Sequence, residues 1–244
     1  MEIFIVNLAL IGSVIVGGIF VTQVQKSAND QIIKLTLALS GGFLLSIGFI
    51  HFIPELYENT SIKIGAFILI GFLIQLLLEF FSGGIEHGHV HHHENSAFPI
   101  GLILALSLHS IIEGIPLGSQ LGGYHLATLD HHHGDHSLLI GISMHRLPVA
   151  IALMTLLFSY KLSRFKAWTI LLIFSITGSV GLAFGYISGS YFKSFDFNII
   201  LAVVVGMFLH ISTTIIFETS ENHKFNLIKL LAIVSGGAIA LLMH

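Results

Sequence analysis

Long apolar stretches recur along the chain, and short polar segments separate them. A helix needs about 20 apolar residues to cross the hydrocarbon core of a bilayer. Eight stretches approach or exceed this length, at residues 3–22, 33–55, 63–81, 98–118, 138–159, 166–190, 197–218 and 226–243. Because backbone amides surrounded by lipid must bond within their own segment, each stretch is predicted to be a helix. The pattern therefore predicts an all-α integral membrane protein with eight transmembrane helices.

Basic residues near the span ends predict the orientation of the chain. Those in or beside the loops after spans 1, 3, 5 and 7 are Lys26, Lys34, Lys161, Arg164, Lys166, Lys224 and Lys229. The opposite loops hold only Lys63 and Lys193. Because cytoplasmic loops are enriched in Lys and Arg, both termini are predicted to lie outside. The first span could be mistaken for a signal peptide, but it lacks a basic n-region, so it is kept as a span.

Composition agrees with a membrane protein and narrows its chemistry. Hydrophobic residues make up 54% of the chain and charged residues 9%, against about 25% charged in soluble domains. We expect residues 1–244 to form a single transmembrane domain in contact with the lipid bilayer, and no basic surface suggests nucleic acid. The chain has no Cys but 16 His. Any transition-metal site must therefore use His, Asp and Glu.

One pair of ionisable residues lies in the middle of an apolar span. His109 and Glu113 are four residues apart, which places them on one helical face. Ionisable groups at membrane depth are costly and by default mark a functional site. With His145 from span 5 they would supply two imidazoles and a carboxylate, a set that suits zinc and also iron, nickel, copper or cobalt. The alternative is that His109 and Glu113 only hydrogen-bond between packed helices.

Two prolines lie close to these residues in the sequence. Pro116 and Pro148 each remove a helical hydrogen bond, to the carbonyl groups of Ile112 and Met144 respectively. Broken turns at membrane depth recur at transporter ion sites, where the released carbonyl groups face a cavity. We therefore expect the helices of spans 4 and 5 to be locally broken beside the metal ligands.

Two loops are rich in histidine, one at residues 82–97 and predicted to be cytoplasmic, the other at 119–137 and predicted to be external. The first holds His87, His89, His91, His92 and His93, and the second His125, His131, His132, His133 and His136. Dense His beside carboxylates suits weak, exchangeable binding of zinc or similar cations. The alternatives are solvated polar loops or tag remnants, although tags sit at termini.

Four further residues are candidates for the ion pathway. His51 and Glu55 are four apart at the predicted external end of span 2, where they form either an entrance relay or an interfacial polar cap. His210 lies within span 7 and Glu218 near its predicted cytoplasmic end. Both are ionisable groups in an apolar span and merit testing as pathway residues.

Other polar residues in the spans are expected to be structural. Gln75 and Glu79 lie near the inner end of span 3 and are predicted to be interfacial. Ser212, Thr213 and Thr214 in span 7 are expected to hydrogen-bond to backbone carbonyl groups of their own helix.

The motifs around these residues resemble the ZIP (Zrt/Irt-like) family of divalent metal transporters. The stretch from His109 to Gly118 is similar to the family's fourth-span signature, and His145 to Ala150 to its fifth. Residues 42–55 resemble the second span, and 206–210 the seventh, where Tyr is more usual than His210. The resemblance implies that His109, Glu113 and His145 bind the metal.

The resemblance also implies an architecture and a set of modulating residues. Spans 1–3 and 6–8 would form inverted repeats around spans 4 and 5, a 3+2+3 arrangement that suits alternating access. Ser110, Pro116, Pro148 and Arg146 lie within the matching motifs and are expected to modulate the site.

The chain departs from the family pattern at two positions. In members with a two-metal centre, acidic residues occupy the positions of Arg146 and Val149. A guanidinium stays protonated and would repel a second cation. The departure implies a single metal, with Arg146 paired to Glu113 when the site is empty.

These observations predict a secondary transporter that moves divalent metal, with zinc favoured, into the cytoplasm by alternating access. The metal is the substrate, no resident cofactor or enzymatic activity is expected, and a plasma (inner) membrane location is favoured. The sequence leaves a homodimer open. One alternative is an intramembrane zinc hydrolase with Glu113 as general base, which would need another ligand such as His51 or His210. A metal sensor without transport is the other.

Overall fold

A computed structural model describes residues 2–24, 30–59, 63–82, 100–124, 126, 137–192, 194–218 and 227–242. All regular structure in these ranges is helical. The helices are α1 (Glu2–Val24), α2 (Asp30–Ile47), α3 (Ile53–Asn59), α4 (Ile64–Ser82), α5 (Ile100–Leu121), α6 (Ser137–Ser159), α7 (Arg164–Tyr191), α8 (Asn198–Glu218) and α9 (Leu227–Leu242). A π-helical turn, Gly48–Phe52, joins α2 to α3.

The helices have the length and surface of membrane spans. In the described ranges, seven spans are long and apolar enough to cross a bilayer, and α9 is a shorter apolar helix of 16 residues. Large apolar side chains such as Phe4, Phe80, Phe165 and Tyr191 point outward and are exposed. A surface of this kind is stable against lipid rather than water. The chain is an all-helical, multi-pass membrane protein, while the full count of eight spans and the outward termini stay predictions.

Span 2 changes its helical geometry in the middle. The turn Gly48–Phe52 is π-helical and contains His51, and α3 continues directly from it. Pro54 follows within the first turn of α3 and has no amide hydrogen to continue an α-helical ladder. Single π-helical turns often lie at functional positions. The sequence does not predict this turn.

The helices of spans 4 and 5 are not broken at their prolines, contrary to the sequence-based expectation. Pro116 lies inside α5 and Pro148 inside α6, and helical structure continues through both. The loss of one hydrogen bond does not end a membrane helix when neighbouring helices hold both sides of it. Pro116 and Pro148 are both buried, so the surrounding bundle supports the two turns.

Four helix pairs have the most extensive contacts: α1 with α6, α2 with α9, α4 with α8, and α5 with α7. In each pair a glycine lies so close to the other helix that an added Cβ would overlap its backbone; examples are Gly17, Gly42, Gly71 and Gly181. Small residues allow such approaches, and van der Waals packing then holds membrane helices together. Glycines therefore determine how these four pairs fit.

The pairs assemble into two groups of helices. The first group consists of α1, α5, α6 and α7, because α1 and α6 also contact α7. The second group consists of α2, α4, α8 and α9, because α2 also contacts α8. The groups meet mainly where α2 packs on α6 and where α4 packs on α5. The candidate metal ligands lie at this boundary.

Candidate metal site

The structure brings His109, Glu113 and His145 together inside the protein. All three are buried, and their ligand atoms lie within 4.8 Å of one another. Nε2 of His109 is 2.6 Å from a carboxylate oxygen of Glu113, and the rings of His109 and His145 are 5.8 Å apart, edge to face. The helical spacing on α5 aligns the first two, and α6 supplies the third. Among the described residues, no other group of three or more His, Asp and Glu has this geometry.

Gln75 on α4 contacts the other side of His109. Its amide oxygen is 2.9 Å from Nδ1 of His109, and the Gln75 side chain is fully buried. An amide oxygen can only accept a hydrogen bond, so this contact assigns a proton to Nδ1. Nε2 then faces Glu113 and can bind a metal ion. Outer hydrogen bonds of this kind orient histidine ligands at metal sites.

The expectation that Gln75 is interfacial is therefore wrong. The signal in the sequence is that Gln75 and Glu79 are four residues apart in an otherwise apolar helix, so they share one face. That face points into the bundle instead of towards the membrane surface.

Arg146 does not form an ion pair with Glu113, in contrast to the sequence-based expectation. Its guanidinium is buried and points to α7, where Nη2 is 3.5 Å from the carbonyl oxygen of Ser175. Its central carbon lies 5.7 Å from the ring centre of Phe174, an arrangement suited to a cation–π contact. Among the described residues, Nε and Nη1 have no hydrogen-bond partner. Consecutive helical residues diverge by about 100°, so Arg146 faces away while His145 faces the site.

Gly178 on α7 provides the space for Arg146. A Cβ at residue 178 would overlap Nη1 of the guanidinium and lie 3.0 Å from Nη2. The positive charge is therefore held between α6 and α7 because the neighbouring helix lacks a side chain at this point.

A second polar contact joins α4 to α8. Nε2 of His210 lies 3.3 Å from a carboxylate oxygen of Glu79, and the His210 ring packs edge-on against Phe72. His210 is buried and Glu79 is largely so. Gln75 and Glu79 lie one turn apart, so α4 presents a line of polar groups that begins at His109 and ends at His210.

The hydroxyl groups next to His210 follow the expected pattern. Ser212 and Thr213 each donate to the carbonyl oxygen of Leu209, and Thr214 donates to that of His210. They satisfy their own hydrogen bonds locally, which confirms the structural interpretation of these side chains.

The other candidates do not belong to the group of three ligands or lie outside the described residues. His51 is buried in the π-helical turn, and Glu55 is half-buried in α3; neither belongs to the group of three. Ser110 is buried beside His109 in the chain. Glu218 ends α8, but its side chain is not among those described. The His residues of both loops also lie outside the described residues.

The three side chains fit a transition-metal cation. Two imidazoles and one carboxylate are ligands that zinc commonly takes. Nε2 of His109 and a carboxylate oxygen of Glu113 face each other 2.6 Å apart, and both atoms must be free of protons to bind a cation. Three such side chains can replace part of the hydration shell of a divalent cation.

Comparison with protein families identifies a relationship. A family model described as ZIP zinc transporter matches residues 86–244, which include α5 to α9 and all three candidate ligands. No curated protein matches the chain.

Proposed function

Because the chain belongs to the ZIP zinc transporter family, whose members move divalent metal ions, we propose that it carries zinc into the cytoplasm. The observation that carries this proposal is the buried group of His109, Glu113 and His145, whose ligand atoms lie within 4.8 Å of one another. The family match favours transport over the hydrolase alternative, which gains no support from it. The family match also favours transport over a metal sensor, because a sensor would not need a path for the ion through the membrane.

Zinc is the proposed cargo because the three ligands are of the types that it commonly takes. Zn²⁺ is commonly four-coordinate with nitrogen and oxygen ligands, so these side chains leave one position for water or another group. An ion that crosses a membrane must be released again, and a site with an exchangeable position binds less tightly than a closed one. Imidazole also accepts iron, cobalt and copper, so competition among metals is the direct measure of selectivity.

The site holds one metal ion at a time under this proposal. Arg146 is adjacent to His145 in the chain, and its charge is buried against α7 with little hydrogen bonding among the described residues. A second divalent cation beside a buried guanidinium would be repelled strongly in a medium of low dielectric constant. Arg146 thus limits the site to one ion through its field, without contacting Glu113.

We propose that the polar face of α4 forms the path between the site and the cytoplasm. Gln75 contacts His109, and one turn further Glu79 contacts His210. Glu218 and the His of residues 87–93 would receive the ion at that end, while His125, His131, His132, His133 and His136 would collect it outside. His51 and Glu55 are candidates for the outer entrance. Several weak sites in sequence allow an ion to enter and to leave.

Alternating access requires movement between groups of helices. If spans 1–3 and 6–8 are inverted repeats, spans 1, 2 and 3 correspond to spans 6, 7 and 8, and span 4 corresponds to span 5. The contact of α1 with α6 then corresponds to that of α7 with α5, and the contact of α2 with α9 corresponds to that of α8 with α4. This pairing supports the 3+2+3 arrangement. All three ligands belong to the first group, whereas Gln75, Glu79 and His210 belong to the second. Relative movement of the groups would therefore carry the ion past a fixed polar face.

The proposed direction of transport rests on the distribution of basic residues among the loops. We propose that both termini lie outside and that the loop of residues 82–97 is cytoplasmic, as the distribution of Lys and Arg favours. A plasma (inner) membrane location is consistent with uptake from the surroundings. In this proposal residues 1–244 form a single transporter domain, and a homodimer is compatible with a site built within one chain.

Zinc uptake into proteoliposomes tests the proposal. Purified protein is reconstituted around an internal zinc indicator, and uptake is compared between the wild type and His109→Ala, Glu113→Ala and His145→Ala. We expect each variant to abolish saturable uptake, because two remaining ligands cannot offset the dehydration of the ion. Ser143→Ala, a half-buried hydroxyl on α6, is the matched control and should retain uptake. An interior that stays free of metal with the wild type would exclude transport and favour a hydrolase or sensor.

The His-rich loop can be tested in the same vesicles. Deletion of residues 87–93 should change the apparent zinc affinity or its regulation while uptake continues, because a polar loop buffers ions without forming the path. Complete loss of uptake at normal expression would contradict this role.

A further inference from the structure

A groove on the side of the bundle lies between α2, α6 and α9. Its volume is about 470 Å³, and it is lined by residues that include Leu35, Leu39, Met144, Pro148, Leu231 and Ser235. Nearly all of the lining surface is carbon. Cavities of roughly 300–1,000 Å³ are large enough to hold small ligands. The groove is separate from the three metal ligands, none of which lines it.

Two of the helices that line the groove, α2 and α9, run parallel. An added Cβ on Gly42 would overlap Ile233, and one on Gly237 would meet the hydroxyl group of Ser46. Both contacts join residues with nearly the same numerical offset, so α2 and α9 point in the same direction. The same register, continued back towards the start of each helix, leaves Lys34 and Lys229 about one helical turn apart along the helix axes.

Both lysines adjoin the end of the groove at which α2 and α9 begin, which is called its mouth below. Lys34 precedes the lining residue Leu35, and Lys229 follows the lining residue Ile228. Each is half-buried, whereas Lys161 and Lys166 beside and on α7 are exposed. Lysine can lay its apolar stem along such a surface while its charge stays at the membrane boundary. The groove therefore combines two cations at its mouth with an apolar floor that runs into the membrane.

We propose that this groove binds one anionic phospholipid, with the headgroup between Lys34 and Lys229 and an acyl chain extending to Pro148. The charge at the mouth favours an anionic headgroup over a zwitterionic one. Basic residues at the ends of membrane helices attract such lipids, which are enriched in the cytoplasmic leaflet. The proposed orientation of the chain places both lysines on that side.

The lipid would touch both groups of helices. Met144 and Pro148 flank His145 on α6 in the first group, while α2 and α9 belong to the second group. A bound chain would stabilise the packing of α6 against α2, and so would slow any movement of one group past the other. This regulatory consequence rests on the proposed transport function, whereas the binding of lipid does not.

The test measures lipid retention by the full chain without zinc. Protein purified in detergent is titrated with phosphatidylglycerol or with phosphatidylcholine of the same acyl chains, and bound lipid is counted by native mass spectrometry. We expect one retained phosphatidylglycerol and a matching rise in thermal stability. Phosphatidylcholine should bind at least tenfold more weakly, since each lysine near an anionic headgroup contributes roughly a factor of five. Glycerol phosphate, which lacks acyl chains, should not be retained.

Variants separate the charge from the apolar floor. Lys34→Gln with Lys229→Gln should remove the preference for phosphatidylglycerol, while Lys161→Gln with Lys166→Gln, the matched exposed pair, should keep it. Ser235→Phe should fill the floor and reduce retention of both lipids. Equal retention of the two lipids by the wild type would overturn the proposal. An unchanged preference in the Lys34 and Lys229 variant would also overturn it, and neither result depends on whether the chain transports zinc.

Discussion

The amide oxygen of Gln75 lies 2.9 Å from Nδ1 of His109, and this contact crosses the boundary between the two groups of helices. Gln75 belongs to α4 in the second group and His109 to α5 in the first. A group that stands outside the three ligands thus sets the orientation and tautomer of one of them. The same bond must break if the two groups slide past each other. It therefore joins ligand geometry to the conformation of the whole bundle.

Replacing Gln75 should weaken zinc binding without removing a ligand. Gln75→Leu keeps most of the side-chain volume but has no acceptor for Nδ1 of His109, so the ring loses its fixed tautomer. We expect zinc affinity to fall about 10-fold to 100-fold, as for other outer partners of metal ligands. The measurement is chelator competition with purified protein that lacks residues 87–93.

The conservative variant makes the interpretation specific. Gln75→Glu retains an acceptor oxygen at nearly the same position and should keep affinity closer to the wild type than Gln75→Leu does. Equal losses in both variants, or none in either, would show that the contact with His109 does not orient the ligand.

Much of the fold and of the site could be predicted from local patterns, because the spacing of His109 and Glu113 and the length of each apolar run are properties of single helices. The role of Gln75 could not, since only the packing of α4 against α5 decides that its face points inward. The direction of Arg146 was also beyond prediction, because it depends on the absence of a side chain at Gly178. Pro116 and Pro148 misled the local argument, since neighbouring helices keep those turns helical.

Glycine contacts should dominate the stability of the pair formed by α5 and α7. A Cβ on Gly181 would overlap the backbone of Ile111, whereas one on Gly12 in α1 would have nothing within 4 Å. We expect Gly181→Ala to lower the free energy of unfolding by about 1–3 kcal/mol through overpacking. Gly12→Ala is the matched control and should be neutral or stabilise by up to about 1 kcal/mol. Thermal unfolding in detergent compares the two, and equal stabilities would refute close packing as the main contribution.

A hydrogen bond at the far end of α5 gives a prediction for alkaline pH. Burial raises the pKa of Tyr124 from 10.0 to about 12, and the hydrogen bond that its hydroxyl donates to Asp196, 2.7 Å long, adds to the rise. Because the folded state holds this proton more tightly, the stabilisation is complete below pH 10 and is lost as the pH rises towards 12.

Phenolate absorbance measures this effect. Of the five tyrosines in the chain, Tyr124 should ionise above its ordinary pKa, and Tyr124→Phe should remove that late step from the titration. Asp196→Asn should bring the step to lower pH, because the neighbouring negative charge is lost. A titration that is the same for the wild type and Asp196→Asn would contradict the assignment of this contact.

Arg146 and Gly178 should be energetically coupled, because one occupies the space that the other leaves. A methyl group at residue 178 would overlap the guanidinium, so Gly178→Ala should displace Arg146 and lower the free energy of unfolding by about 1–3 kcal/mol. In an Arg146→Ala background the clash is absent, and the same substitution should cost much less. A double-mutant cycle by denaturant unfolding measures this difference.

Gly141→Ala on α6, whose Cβ would make an ordinary contact of 3.7 Å with Ile47, should have an equally small effect in both backgrounds. Additive effects of Gly178→Ala and Arg146→Ala would show that the guanidinium does not occupy this space, and would return Arg146 to the side of α6 that faces Glu113.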